Sequence, residues 1–255
     1  MHTERFGLMN ETILLYEELS FNAHPAFQTV FYDGWVLRFA DGYDKRTNSV
    51  SPLYPSRLDM RDKITEGENL YAARGLPPVF KLTDGADPAM DRLLAERGYA
   101  VVTPTQVMAM DIHEKNFPMG DCVVTDHADD EWFNANFAVG HGYDEAAKAR
   151  ARRIVGNIVH PVLCGRLVKD GADVACGMAV IERGYMALLN VAVDEPKRGR
   201  GYGTEICASL LSAAKEAGAH TAYLQVVRDN RTAVNLYAKL GYQMMYTYWY
   251  RVKGA

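Results

Sequence analysis

The 255-residue sequence is poor in the features that settle a protein's class at sight. Its four cysteines, Cys122, Cys164, Cys176 and Cys207, are scattered, and no two stand at C-x-x-C spacing. No zinc or thiol-redox motif follows, and a disulfide framework does not suit a chain this long; buried, reduced thiols and no metal are expected. Apolar runs are short and soon broken by charge, so no transmembrane helix is expected. The N-terminal MHTERFGLMNE has neither the basic start nor the apolar core of a signal peptide. Positive charge is not in excess: 28 Lys and Arg face 32 Asp and Glu, which removes the global basic field that nucleic-acid binding needs. Without low-complexity tracts either, the sequence reads as a soluble, cytoplasmic protein with no membrane or nucleic-acid partner.

What is present is an ordinary globular composition, 48% apolar and 24% charged, enough for one large domain or two smaller ones. Two segments share an order of strand, loop, helix and a Gly-Tyr that opens another strand: Pro78 to Val102 and Thr221 to Met245. Superposing Gly98-Tyr99 on Gly241-Tyr242 places Leu93 on Leu236, Ala95 on Ala238 and Phe80 on Tyr223. The same register carries Val50 onto Val193 and Gly75 onto Gly218, so an internal duplication is the better account. The expected boundary lies between residues 117 and 118, where Pro118 and Gly120 follow the strand QVMAMDI. The copies differ at three glycines: opposite Gly199, Gly201 and Gly203 stand Ser56, Leu58 and Met60. Leu94 stands opposite Tyr237, and Asp87 opposite Asn230.

The glycines lie between ALLNVAV, which reads as a strand buried on both faces, and TEICASLLSAAKEAG, an amphipathic helix with Ile206, Leu210, Leu211 and Ala214 on one face. Backbone N–H groups of such a loop converge on a helix N-terminus, where unpaired donors and the helix dipole favour an anion such as a pyrophosphate. Glycine permits positive φ and presents no Cβ to block the phosphates, and Arg198 and Arg200 would add charge. By themselves the same residues also describe a glycine-rich turn with two solvated arginines. A Walker loop is excluded because no G-x-x-x-x-G-K-[ST] occurs. The G-x-G-x-G spacing likewise departs from the G-x-G-x-x-G of dinucleotide folds.

VAVDEPKRGRGYG resembles the acetyl-CoA signature of the GNAT superfamily of N-acetyltransferases. Val193 ends the strand, and Arg198, Gly201 and Gly203 fit R/Q-x-x-G-x-G/A. NRTAVNLYAKLGY is similar to the family's second motif, matched by Asn230, Ala233, Leu236, Tyr237, Leu240, Gly241 and Tyr242. The resemblance implies an α/β fold with a mixed sheet, here two tandem GNAT-like domains: 1–117, a degenerate copy, and 118–255, the catalytic one. It implies acetyl-CoA as donor, held by Val191, Ala192 and Val193 along the pantetheine and by Arg198, Gly199, Arg200, Gly201, Tyr202, Gly203 and Thr204 at the pyrophosphate. Asn230 would contact the pantetheine, and Tyr237 would protonate the thiolate that leaves on direct attack by an amine. An N–H near Val191 would polarise the thioester carbonyl. Asn230 is equally suited to cap the helix that starts at Arg231, and Tyr237 to pack within it.

No general base follows from the resemblance. Ribosomal-protein alanine acetyltransferases carry a glutamate five residues before the motif asparagine, and here that position is Gln225. Glu182, His141, His160 and Tyr143 are the candidates. The acceptor, a small-molecule or protein amine, is expected near residues 129–155. There Trp132, Phe137 and Tyr143 would wall a slot with Asp129, Asp130 and Glu131 drawing a cation, or the acids would open a helix that buries the aromatics. YTYWYRV, residues 246–252, is expected to line the groove or to face the N-terminal copy. A non-catalytic acyl-CoA sensor is the alternative function. The resemblance leaves the oligomeric state open.

Overall fold

The computed structural model describes residues 2–140 and 143–254, with residues 2–10 described by their backbone alone. Along the chain come α1 (His2–Ala23), β1 (Gln28–Tyr32), β2 (Trp35–Phe39), β3 (Val50–Pro52), α2 (Met60–Ala72), β4 (Val79–Thr83), α3 (Pro88–Glu96) and β5 (Tyr99–Asp111). They are followed by β6 (Cys122–Thr125), α4 (Asp130–Gly140), α5 (Glu145–Gly156), β7 (Val162–Lys169), β8 (Ala172–Glu182) and β9 (Tyr185–Val193). The last are α6 (Tyr202–Glu216), β10 (Thr221–Val227), α7 (Arg231–Leu240) and β11 (Gln243–Lys253). Shifted by 143 residues, the distance from Gly98 to Gly241, the starts of α2, β4, α3 and β5 fall within one residue of those of α6, β10, α7 and β11. Gly98 and Gly241 both end their helices at positive φ, 84° and 104°, the left-handed stop that glycine takes without strain. The fold is the mixed α/β type that the resemblance implies.

Two compact units share these elements. The first holds the chain up to Gln106, Val227–Asp229 and the residues from Tyr246 onward; the second holds Val107–Val226 and Asn230–Met245. In the first the strand order is β1-β2-β3-β4-β11, and in the second β10-β9-β8-β7-β6. β3 with β4 and β9 with β10 are parallel, whereas β1–β2, β2–β3, β4–β11, β6–β7, β7–β8 and β8–β9 are antiparallel. Tyr248 to Val252 of β11 pair with Thr83 to Val79 of β4, so the end of the chain completes the first unit. The end of β5 stands next to β10 in the second unit, where the Ile112 N–H donates to the His220 carbonyl at 2.9 Å. The units therefore change over within β5, at Gln106/Val107. The 117/118 position lies in the irregular segment between β5 and β6 that Pro118 and Gly120 lead one to expect. Contact units follow strand pairing and interleave along the chain, whereas the repeat follows chain order.

Each unit has its own apolar core. In the first, Leu37, Val50, Ile64, Phe80, Leu82 and Leu94 are buried together; in the second, Leu188, Ile206, Leu210, Leu211 and Leu224 are. The aromatics of YTYWYRV belong to the interior of the first unit rather than to a groove. Tyr246, Tyr248 and Tyr250 are buried at strand period, and the Tyr246 hydroxyl donates to Glu17 at 2.9 Å. Trp249 on the opposite face donates its indole N–H to Asp91. All four cysteines are free thiols. Among the described residues no helix is long and apolar enough to cross a membrane, and no group of His, Cys, Asp and Glu is arranged to hold a metal.

Candidate active site

The site begins with a fault in a strand. β9 pairs with β10 only from Tyr185 to Leu188, while both strands run on beyond that point. Toward β8 the register is broken as well: Met178 faces Leu189 and Cys176 faces Ala192, so Asn190 and Val191 have no partner opposite. Asn190 takes φ 52°, a left-handed value that a short polar side chain tolerates, and the extra residue forms a β-bulge. The expectation of a strand buried on both faces therefore holds for Met186–Leu188 only; Asn190 is exposed and Val191–Val193 are half-buried. The cause is the bulge, which turns the strand end away from β10 and frees the Val191 backbone from both ladders.

A broken ladder leaves polar groups to satisfy. Opposite the bulge, the Gly177 carbonyl accepts a hydrogen bond from the Trp132 indole at 3.0 Å, both groups buried. Asn136, one turn further along α4, donates to the Cys176 sulfur at 3.5 Å, and that thiol is directed at the Asn190 carbonyl. Trp132 is thus a support of the bulge and not a wall of an acceptor slot. Trp132→Phe keeps the ring but strands a buried carbonyl, and should lower unfolding stability by about 1–3 kcal/mol. Denaturant unfolding that matches the parent would show the indole bond to be dispensable.

Beyond β9, a turn of 3₁₀ helix (Glu195–Lys197) leads into the glycine loop. Gly199 and Gly201 sit at φ 79° and 85°, and a Cβ on either would meet nothing within 4 Å, so the space above the loop is open. Gly201 is the N-cap of α6 and no side chain caps that terminus; its carbonyl takes the Thr204 and Glu205 N–H groups, which leaves the Tyr202 and Gly203 amides to an outside acceptor. Gly203 serves differently from the expectation. It is helical, and a Cβ there would lie 2.8 Å from Leu236 Cδ1, so its missing side chain lets α7 close on α6. The Arg198 side chain is 60% exposed, within 3.5 Å of Glu195 and 3.4 Å of the Val193 carbonyl, and Arg200 is also exposed.

α7 brings the second motif to the same place. Asn230 caps it by accepting from the Ala233 N–H at 3.2 Å, as Asp87 caps α3 through Ala89 at 2.8 Å. Tyr237 is 9% exposed and packs edge-to-face on Tyr242, with ring centroids 5.9 Å apart at 68°. Burial without a partner for its hydroxyl pushes Tyr242 well above the usual phenol range. A cleft of about 680 Å³ is lined by Val191–Val193, Arg198, Gly199, Gly201–Thr204, Asn230 and Tyr237. Of the expected site residues, the cleft gathers all but Arg200. It also takes in Val139 and Gly140 at the end of α4 and Thr232, Asn235 and Lys239 on α7. The α7 group was within reach of sequence reasoning, because Thr232, Asn235 and Lys239 stand three and four residues apart and so share one helical face. Asn190 was not, since nothing local marks a bulge.

The candidate bases fare otherwise. Glu182 ends β8 at the hairpin remote from the bulge, six residues or about 20 Å of strand from Cys176. There it pairs with His160 at 3.4 Å and Arg183 at 3.2 Å, so neither Glu182 nor His160 lines the cleft. His141 lies outside the described residues. Tyr143 packs on Phe137, centroids 5.2 Å apart, in a separate hollow between α4 and α5. The acids at the start of α4 act as helix and surface charges: Asp129, just before it, accepts from the Trp132 N–H at 2.7 Å, while Asp130 pairs with Arg152 and Glu131 with Arg166.

Known proteins share this architecture. A family model described as "Probable histone acetyltransferase Rv0428c C-terminal" matches residues 12–251. The "Uncharacterized N-acetyltransferase YobR" of Bacillus subtilis is 27% identical over 242 residues, covering 93% of this chain and 97% of the relative. Among solved structures, a GCN5-related N-acetyltransferase from Kribbella flavida superposes with a TM-score of 0.71 at 19% identity, covering 95% of each chain. A tandem GNAT protein from the clavulanic acid biosynthesis pathway gives 0.64 at 14% identity over 81% of this chain and 76% of its own. The chain, matched over nearly its whole length, belongs to the family described as "Probable histone acetyltransferase Rv0428c C-terminal" and is a GNAT-type N-acetyltransferase.

Proposed function

We propose that the protein transfers an acetyl group from acetyl-CoA to a primary amine, of a small molecule or of a protein, by direct attack within the cleft of the second unit. The observation that carries this is the convergence of three features on one cleft: the freed Val191 backbone, the open glycine loop and Tyr237. The residues fit the donor. Loop amides at 199–204, at an uncapped helix end and with no Cβ at Gly199 or Gly201, suit a pyrophosphate, and Arg198 and Arg200 add charge. The strand end Val191–Val193, unpaired on the side toward β10, offers backbone to the pantetheine amides, as an edge strand would. Acetyl-CoA brings an activated thioester, and the chain's residues do the rest. As the N–C bond forms and the C–S bond breaks, the Val191 N–H points charge at the thioester oxygen and Tyr237 gives its phenolic proton to the departing sulfur. The proton the amine loses passes to solvent, which restores the phenol, and Asn230 keeps α7 capped and in place. Residues 1–117 are proposed as the degenerate copy, with Ser56, Leu58 and Met60 in place of the glycines and the fully buried Leu94 in place of Tyr237. The four free thiols suit a reduced, cytoplasmic setting.

Thiol release from acetyl-CoA with a panel of primary amines tests the reading. Acceptor-dependent release is expected. Binding of CoA without release across the panel would make the protein a sensor, and no binding at all would remove both readings. Gly201→Val puts a branched side chain at φ 85° and into the open space over the loop. Acetyl-CoA affinity should fall by at least about tenfold, with the fold intact by circular dichroism. Equal affinity would place the pyrophosphate elsewhere.

A further inference from the structure

In the repeat, Ser56, Arg57 and Leu58 of the first unit occupy the positions of Gly199, Arg200 and Gly201. Glycine is gone from this loop, yet its donors still converge, and a carboxylate sits among them. The Ser56 hydroxyl donates to Asp33 Oδ2 at 2.9 Å, the Arg57 N–H at 2.9 Å and the Leu58 N–H at 2.8 Å. The Lys63 ammonium, on the first turns of α2, lies 3.1 Å from the same oxygen and also bonds the Ser56 hydroxyl and the Asp33 carbonyl. The Lys63 side chain is 0% exposed, so this buried cation is directed into the cluster and fixed there, with the Trp35 ring 4.3 Å away. The next amides, Arg61 and Asp62, donate to the Asp59 side chain, which caps α2. Their counterparts, Thr204 and Glu205, donate instead to the Gly201 carbonyl, both at 3.0 Å, on a helix with no side-chain cap. The loop donors that stand open in the second unit thus serve the chain's own Asp33 carboxylate in the first.

We infer that the 56–58 loop with Lys63 is a second anion site of the phosphate-cradle type, whose ligand is the chain's own Asp33 carboxylate. The inference rests on the proposed reading of the 198–204 loop as a pyrophosphate cradle. Strand length explains why only one unit fills its own cradle. β2 is five residues long, and Trp35 at its start faces Pro52 at the end of β3, so the Asp33-Gly34 turn lies level with the loop. β8 starts three residues before Ala175, the partner of Val193, which carries the Asp170-Gly171 turn past the end of β9, where both residues are exposed. Asp33 takes φ 42° in its turn, a left-handed value that a short polar side chain tolerates, as Asp170 does at 54°. The Leu58 amide, with Ser56, Lys63 and Arg57, holds its carboxyl well below the usual carboxylate range. With Asp33 in place the 56–58 loop is closed to a second pyrophosphate.

Asp33→Gly tests this, because glycine accepts the turn's φ and vacates the site while Lys63 remains. Titration calorimetry with inorganic pyrophosphate should count one more site per chain in Asp33→Gly than in the parent, and Asp33→Gly/Lys63→Met should lose it again. The increment decides: no added site, or an added site that survives Lys63→Met, overturns the inference. A parent that binds no pyrophosphate would count instead against the 198–204 loop. Should Asp33→Gly fail to fold, hydrogen exchange on the parent chain without ligand decides. The Arg57 and Leu58 amides should exchange at least about tenfold more slowly than those of Arg200 and Gly201. Equal rates would overturn it.

Discussion

Tyr237→Phe should lower turnover about 100-fold, within the range that a positioned acid contributes, while acetyl-CoA affinity stays within about twofold. The phenyl ring is retained, so the edge-to-face contact with Tyr242 and the packing under α7 persist. On the proposed reading the proton source beside the leaving sulfur is removed, an interaction made in the transition state and not in the ground state. A ring that served packing alone would leave turnover unchanged, and that result would end its role as acid. A parallel loss of affinity would show that the hydroxyl also holds the donor.

Lys81→Met should lower unfolding stability by about 3–5 kcal/mol, the range observed when one partner of a buried ion pair is removed. Lys81 and Glu17 are 3% and 1% exposed and in contact, with Nζ–Oε1 at 2.8 Å. Glu17 also accepts from the Tyr246 hydroxyl at 2.9 Å, and the Lys81 ammonium lies 4.1 Å from the Tyr248 ring. With Lys81 gone, a carboxylate remains in the interior of the first unit with one neutral donor. Pairing Glu17→Gln with Lys81→Met should recover most of the loss, since the amide keeps the tyrosine bond without a charge. Denaturant unfolding of the parent and the two variants decides between these expectations. A double variant as unstable as the single one would show that shape, not charge, is what the pair supplies.

Much of this was legible along the chain. The 143-residue shift, helix ends at Gly98 and Gly241, amphipathic α6 and both motifs are patterns of neighbours, and such patterns survive in a linear text. They were enough to point to the family, the fold and most residues of the cleft. Gly203 shows the limit of local reading. Its place in the motif suggests room for phosphate, but the atom it makes way for is Leu236 Cδ1, thirty-three residues on.

Tertiary structure decided the rest, because those features depend on which strands pair and where pairing stops. The bulge at Asn190 exists through a mismatch with β8 and is held by Trp132 from α4, neither of which is near it in sequence. Glu182 ceased to be a candidate base once strand length put it at the far hairpin. YTYWYRV found its place in the first unit because β11 pairs with β4. Asp33 is an ordinary hairpin aspartate in the sequence; it becomes a ligand only where a short β2 sets its turn against Ser56–Leu58. Local spacing determines which groups a helix or loop presents. Long-range pairing decides what meets them.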